Sequence, residues 1–116
     1  MQNELVLIRG VSGSGKTTLA KTMARGLGTN AVFAADDWFY DSEGNYNFDL
    51  TQRGQAHRAC QANVQHVMLA RSPIKHIVVH NTFTTEKEMQ PYLQMAESYN
   101  YKVTVMNQYI MYPMKY

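Results

Sequence analysis

Apolar residues in this chain cluster in two ways, as short unbroken runs and as longer stretches in which they return every three or four positions. The run Leu5-Val6-Leu7-Ile8, rich in branched side chains and closed by Arg9-Gly10, predicts a strand buried on both faces of a parallel sheet. After a glycine-rich turn, Leu19, Met23 and Leu27 recur at every fourth position with Ala20 and Ala24 beside them, which predicts a helix ending at Gly26 and Gly28. Ala31 to Ala35 reads as a second short strand. It leads through Asp36-Asp37-Trp38-Phe39-Tyr40 to the turn-forming residues Asp41-Ser42-Glu43-Gly44-Asn45, so an exposed loop is expected there.

From Asp49, suited to an N-cap, Cys60, Val64, Val67 and Met68 keep a helical period as far as Arg71, where Ser72-Pro73 ends it. Ile74 to Val79 is a third buried run. Thr85-Glu86-Lys87-Glu88 has the form of a capping box and opens a helix with Met89, Leu93 and Ala96 on one side. Pro91, inside that pattern, removes one backbone hydrogen bond, so the helix either starts later or, the reading we favour, bends. Lys102 to Met106 alternates as a fourth strand, and Asn107 to Tyr116 is aromatic and methionine-rich with no regular element. Strands alternating with helices of these lengths join through right-handed crossovers. The expected fold is α/β, a three-layer core with a parallel sheet of about four strands and the ligand at the strand ends.

Composition changes this picture little. At 116 residues, with no stretch that reads as a linker, the expectation is a single domain over 1–116. Eleven Lys plus Arg against nine Asp plus Glu leave a formal charge of +2, too small to point to nucleic acid by itself. The lone Cys60 has no intramolecular partner and reads as a buried thiol in a reducing compartment. The N-terminus has no cationic stretch followed by an apolar core, and no apolar run approaches the ~18 residues of a membrane span, so the expected location is cytoplasmic, with no membrane contact.

Chemistry enters with Gly10-Val11-Ser12-Gly13-Ser14-Gly15-Lys16-Thr17, which matches the phosphate-binding pattern G-x-x-x-x-G-K-[ST] at every fixed position. It lies between a predicted strand and a predicted helix, where its mechanism needs it. Glycines let backbone N–H groups curl around an anion, and the helix N-terminus adds its dipole. The segment nominates Gly10, Ser12, Gly13, Ser14, Gly15, Lys16, Thr17 and Thr18 as nucleotide-binding residues. Lys16 would meet the β and γ phosphates of ATP, and the Thr17 hydroxyl would hold Mg2+. Because this loop selects a cofactor and not a reaction, a second group must choose the chemistry. Asp36, just past the second strand, stands where a carboxylate can face the triphosphate, as general base or, through water, as a magnesium partner. The alternative makes Asp36-Asp37 an N-cap for the next turn. The histidines His57, His66, His76 and His80 have no zinc-like spacing, and only His80, at a strand end, is a candidate contact. Tyr109, Tyr112 and Tyr116 are available for base stacking, without the lysine cluster that nucleic-acid binding favours.

The sequence resembles the small P-loop kinases that include the bacteriophage 5′-hydroxyl polynucleotide kinase and the zeta-toxin-like ATP-binding domains. The resemblance rests on Gly10 to Thr18, Ala35-Asp36-Asp37-Trp38-Phe39 with Gly44-x-Tyr46-x-Phe48, Ala56-His57, Val79-His80-Asn81-Thr82-Phe83 and Glu88-Met89-Gln90-Pro91-Tyr92, and covers most of residues 4–106. It implies Asp36 as general base. Two departures stand out. His80 and Asn81 occupy the place of the aspartate that usually ends the third strand, so Asp36 or Asp37 would reach magnesium through water. The family's arginine-bearing C-terminal lid and last strand are missing, with Arg53 and Arg58 as candidate substitutes.

The resulting expectation is an ATP-binding kinase that passes the γ phosphate to a hydroxyl of a nucleic-acid 5′ end or of a small metabolite, using Lys16 and Asp36. Its partners are a nucleoside triphosphate and that acceptor. A catalytically weak or inactive nucleotide-binding regulator, and a truncated kinase fragment, remain as alternatives.

Overall fold

The computed structural model describes residues 3–11, 13–70 and 73–108. Four strands and three helices alternate: β1 (Asn3–Arg9), α1 (Lys16–Leu27), β2 (Val32–Phe33), α2 (Arg53–Leu69), β3 (His76–Asn81), α3 (Glu86–Ser98) and β4 (Tyr101–Asn107). Short 3-10 turns at Ala35–Phe39 and Leu50–Gln52 lie between β2 and α2. The strands pair in parallel in the order β2-β3-β1-β4.

Central placement of β1 follows from its composition, since a strand with neighbours on both edges and helices on both faces must be apolar throughout. Leu5 and Leu7 point to one face, where Ile77, Val79, Cys60, Val64, Tyr92 and Ala96 close around them. Val6 and Ile8 point to the other, against Val78 and the small residues Ala20 and Ala24 of α1. These two clusters make the three layers, with α2 and α3 on one side and α1 on the other. Truncating any of the four β1 side chains, all essentially without exposed surface, should cost roughly 2–5 kcal/mol.

Element boundaries depart from the sequence pattern in four places. The second strand keeps only Val32 and Phe33, because the next two amides are captured elsewhere: Ala34 N–H donates to Asp37 Oδ2 at 3.1 Å, and Ala35 N–H to Asn81 Oδ1 at 2.7 Å. The third strand covers 76–81 instead of 74–79, since β1 continues to Arg9 and its register carries His80 and Asn81 along. The long helix begins at Arg53 and ends at Leu69. Asp49 still caps its approach, accepting from Thr51 N–H at 3.0 Å and Thr51 Oγ1 at 2.6 Å, but the first turn is 3-10. At the predicted capping box, Thr85 N–H donates to Glu88 Oε1, and α3 starts immediately afterwards and continues through Pro91, so a delayed start is excluded. Of the segment from Asn107 onward, read as irregular, Asn107 belongs to β4, and residues 109–116 lie outside the described part.

Candidate functional site

The loop from Gly10 to Gly15 joins the C-terminal end of β1 to the first residue of α1, Lys16. Gly13 and Gly15 have φ of 80° and 89°, a region that side chains with a Cβ disfavour, and Ser14 N–H donates to Val11 O at 3.2 Å to close the turn. The amides of Lys16, Thr17 and Thr18, in the first turn of α1, have no acceptor within the helix. Together with the helix dipole they form a concavity suited to an anion.

Lys16 folds along this loop, its Nζ donating to Val11 O at 2.9 Å. Partial burial lowers its pKa, and the opposing charge of Asp36 recovers part of the shift. Gly13, Gly15, Lys16, Thr17, Thr18 and Lys21 form one wall of an open cleft of about 1210 Å³. Gly10 and Ser14, in the same loop, do not line the cleft, and Ser12 lies outside the described residues.

The opposite wall comes from residues after β2. The 3-10 turn buries Ala35 and Phe39 and leaves Asp36, Asp37 and Trp38 outward. The two aspartates divide the roles the sequence left open. Asp37 works on the backbone from the third position of the turn, accepting from Ala34 N–H, so Ala34 and neither aspartate is the N-cap. Both aspartates line the cleft, and Asp36 accepts from Tyr46 Oη at 3.3 Å. Tyr46 is delivered by a folded loop: Asp41 Oδ1 accepts from Glu43 N–H and Asn45 N–H at 2.9 and 2.8 Å, and Tyr40 bridges to Tyr46 with ring centroids 5.0 Å apart. Phe48 packs on Phe39 at 4.9 Å. Burial and the Asp36 carboxylate both raise the Tyr46 pKa, keeping it a hydroxyl donor.

His57, His80, Asn81 and Arg53 complete the enclosure. Burial lowers the pKa of His80, opposed by Asp37 and reinforced by Lys16, so its imidazole is neutral near pH 7. His57 is lowered by burial and by the Arg53 charge. Arg53 Nη2 donates to Glu88 Oε2 at 3.0 Å. Partial burial pushes Glu88 upward, but hydrogen bonds from Thr84, Arg53 and the Thr84 and Thr85 amides outweigh it and bring the carboxyl down to about 2. Arg58 instead folds back over Gly54, and does not line the cleft. Asn81, at the place of the expected acidic residue, is buried and holds the Ala35 amide. Cys60 beside it is a buried thiol whose pKa burial raises. His66 and His76 lie away from the cleft, His76 Nδ1 being 3.6 Å from Glu4 Oε1 at the other end of the sheet.

Of the residues nominated from sequence, the cleft brings together Gly13, Gly15, Lys16, Thr17, Thr18, Asp36 and His80. Arg53, a candidate substitute for the lid arginines, also lines it, whereas Tyr46 and His57 were not singled out as site residues, although Gly44-x-Tyr46-x-Phe48 and Ala56-His57 already marked their segments. Among the described residues, no group of three or more His, Cys, Asp or Glu could hold a metal ion. A hard cation would therefore use a hydroxyl and a carboxylate, such as those of Thr17 and Asp36, with water and phosphate oxygens. None of the described helices is long and apolar enough to cross a membrane.

Comparison with known proteins places these features. A family described as an AAA domain matches residues 5–107. Human (Homo sapiens) NEDD4-binding protein 2 is 35% identical over 99 residues, which are 85% of this chain and 5% of that protein's length. The chain thus spans about a twentieth of that relative. Among solved structures, a mutant of the Mycobacterium tuberculosis APS kinase CysC superposes with a TM-score of 0.63 at 18% identity, covering 98% of this chain and 82% of that one. The same kinase in complex with AMPPNP and APS gives 0.62 at 20% identity, with 91% and 62% coverage. The Pnkp1/Rnl/Hen1 complex gives 0.62 at 17% identity, with 97% and 36% coverage. The four-strand parallel sheet with three helices is a P-loop kinase fold.

Proposed function

This chain belongs to the AAA domain family matched over residues 5–107, and from that premise we propose that it binds ATP with magnesium and transfers the γ phosphate to a hydroxyl. One observation carries the reading: Gly13, Gly15, Lys16 and Thr17 of the loop and helix start line the same cleft as a carboxylate, Asp36, whose charge Lys16 feels. In this scheme the loop amides and Lys16 hold the β and γ phosphates. Magnesium, held by Thr17 and through water by Asp36, would neutralise phosphate charge. Asp36 accepts the proton of the acceptor hydroxyl as that oxygen bonds to the γ phosphorus. The bond from γ phosphorus to the β-bridging oxygen breaks, ADP leaves, and Asp36 returns the proton to solvent.

The acceptor side supports a hydroxyl on a nucleic-acid end or a small metabolite. Exposed Tyr40, Tyr46 and Phe48 offer faces on which a base can stack, and one structural neighbour is the Pnkp1/Rnl/Hen1 complex. Arg53 is the arginine of the cleft among the described residues, and once released by Glu88 it can face phosphoryl charge. Its engagement with Glu88 also favours the second reading, a weakly active nucleotide-binding regulator. A reducing, cytoplasmic setting suits the free buried thiol of Cys60.

Incubation with γ-labelled ATP, magnesium and a panel of 5′-hydroxyl oligonucleotides, nucleosides and small alcohols tests the proposal. Label moving to one acceptor class is the expected result. Label that stays on ATP while calorimetry registers tight binding selects the regulator instead.

A further inference from the structure

We propose that Gln108 is a positioning residue for the phosphate loop, a latch thrown from the end of β4 across the back of the Gly10–Gly15 turn. The inference rests on the nucleotide-binding reading of that loop and adds a residue that the phosphate-binding pattern does not contain.

Three parts of Gln108 engage the loop. Its backbone N–H donates to Arg9 O at 2.7 Å, extending the β1–β4 ladder one residue beyond the strand and bringing the chain directly under the turn. Its carbonyl oxygen then lies so close to Gly10 that a Cβ there would stand 2.3 Å away, with Ser14 Oγ at 2.8 Å. Gly10 therefore meets a demand of packing against β4. Finally, the side-chain Nε2 donates to Ser14 O at 3.1 Å and passes 3.6 Å from where a Cβ on Gly15 would sit. One residue thus holds the entry of the loop through Arg9 and Gly10, and its far limb through Ser14.

The Ser14 contact has an electronic consequence as well as a geometric one. Ser14 C=O and Gly15 N–H belong to one planar peptide unit, and a donor on the oxygen polarises that unit and strengthens the N–H on its other side. The Ser14 carbonyl faces Gln108, and across this trans peptide the Gly15 N–H points the opposite way, at a residue that lines the cleft. The latch would fix the orientation of this peptide before an anion arrives, so less ordering free energy is lost on binding.

Gln108→Leu removes the donor at similar volume, and Gln108→Glu puts an acceptor opposite a carbonyl. In ligand-free protein, Gly13, Gly15 and Lys16 amides should exchange about 3- to 10-fold faster in Gln108→Leu than in the unmodified protein, with β3 exchange and the thermal midpoint unchanged. The dissociation constant for Mg-ATP should rise by about the same factor, and further in Gln108→Glu, where a negative charge faces the nest. In the unmodified protein, the Gln108 side-chain amide should give separate, slowly exchanging proton signals with Overhauser contacts to Gly15. Rapid averaging of that amide overturns the latch without any variant, as does exchange and affinity equal to the unmodified protein in the variants that fold. If the unmodified protein takes up no Mg-ATP, the reading under Proposed function falls, while the amide measurements still decide whether the latch exists.

Discussion

The two walls of the cleft are built from different materials. On the side proposed to hold phosphate, residues 10–18 are contiguous and would offer backbone amides, with the side chains of Lys16 and Thr17. On the side proposed to face the acceptor, Asp36, Tyr46, Arg53 and His57 come from loops and a helix start, with Asp36 held by Tyr46 and Arg53 by Glu88. A backbone nest is specified by φ, ψ and a helix terminus, so it can persist while the opposite wall changes. The difference predicts that nucleotide binding and phosphoryl transfer can be separated by mutation.

Asp36→Asn should separate them most widely. Transfer should fall on the order of 10²- to 10⁴-fold, as for loss of a general base, while Mg-ATP affinity measured by calorimetry falls by less than about tenfold, as for loss of one water-mediated magnesium contact. A parallel loss of affinity would mean that the carboxylate belongs to the phosphate wall.

Arg53→Gln comes next. Rapid-quench measurement of transfer should show a drop of roughly ten- to a hundredfold, below the ~10³–10⁵ of a dedicated arginine because Glu88 holds this one in part. No change in rate would favour the regulator over the kinase.

Asn81→Leu addresses how the acceptor wall is anchored. It leaves the Ala35 amide without its acceptor, and urea denaturation should register a loss of about 1–3 kcal/mol. Transfer should weaken with it, because Asp36 follows Ala35 in the same turn.

The smallest expected effect is the pH response of the Arg53–Glu88 pair. The folded-state pKa of Glu88 is depressed from 4.5 to about 2, so its contribution to stability is present above 4.5 and is lost as pH falls from there through about 2. With Arg53 side chain 46% exposed and open to screening, the pair is worth no more than ~0.2–1 kcal/mol. Added salt should flatten the acid limb of the stability curve by that amount, and Glu88→Gln by more, because it also removes the carboxylate that accepts from Thr84 and Thr85.

Much of the phosphate wall was legible along the chain, because the run Leu5 to Ile8, the glycine spacing and the period of α1 are all local signals. The acceptor wall was legible in outline only. Asp36 could be nominated by position, but Asp36 and Asp37, which both line the cleft, could not be told apart until the turn gave Asp37 the Ala34 amide and left Asp36 to Tyr46. Arg53 and Arg58 were equivalent as charges on one helix, and their separation depended on Glu88 and on the groove above Gly54. Asn81 stood out as a departure from an acidic pattern, while its task as an acceptor for a backbone amide had no local trace.

Local sequence was enough for the nest, since its geometry depends on dihedral preferences and a helix start within nine consecutive residues, Gly10 to Thr18. Three other features needed the folded chain: the early end of β2, the holding of Arg53 and the backing of the loop by Gln108. They rest on hydrogen bonds that span 46, 35 and 94 residues of sequence. Contacts at that separation follow from strand order and register, which place groups side by side that no spacing along the chain relates.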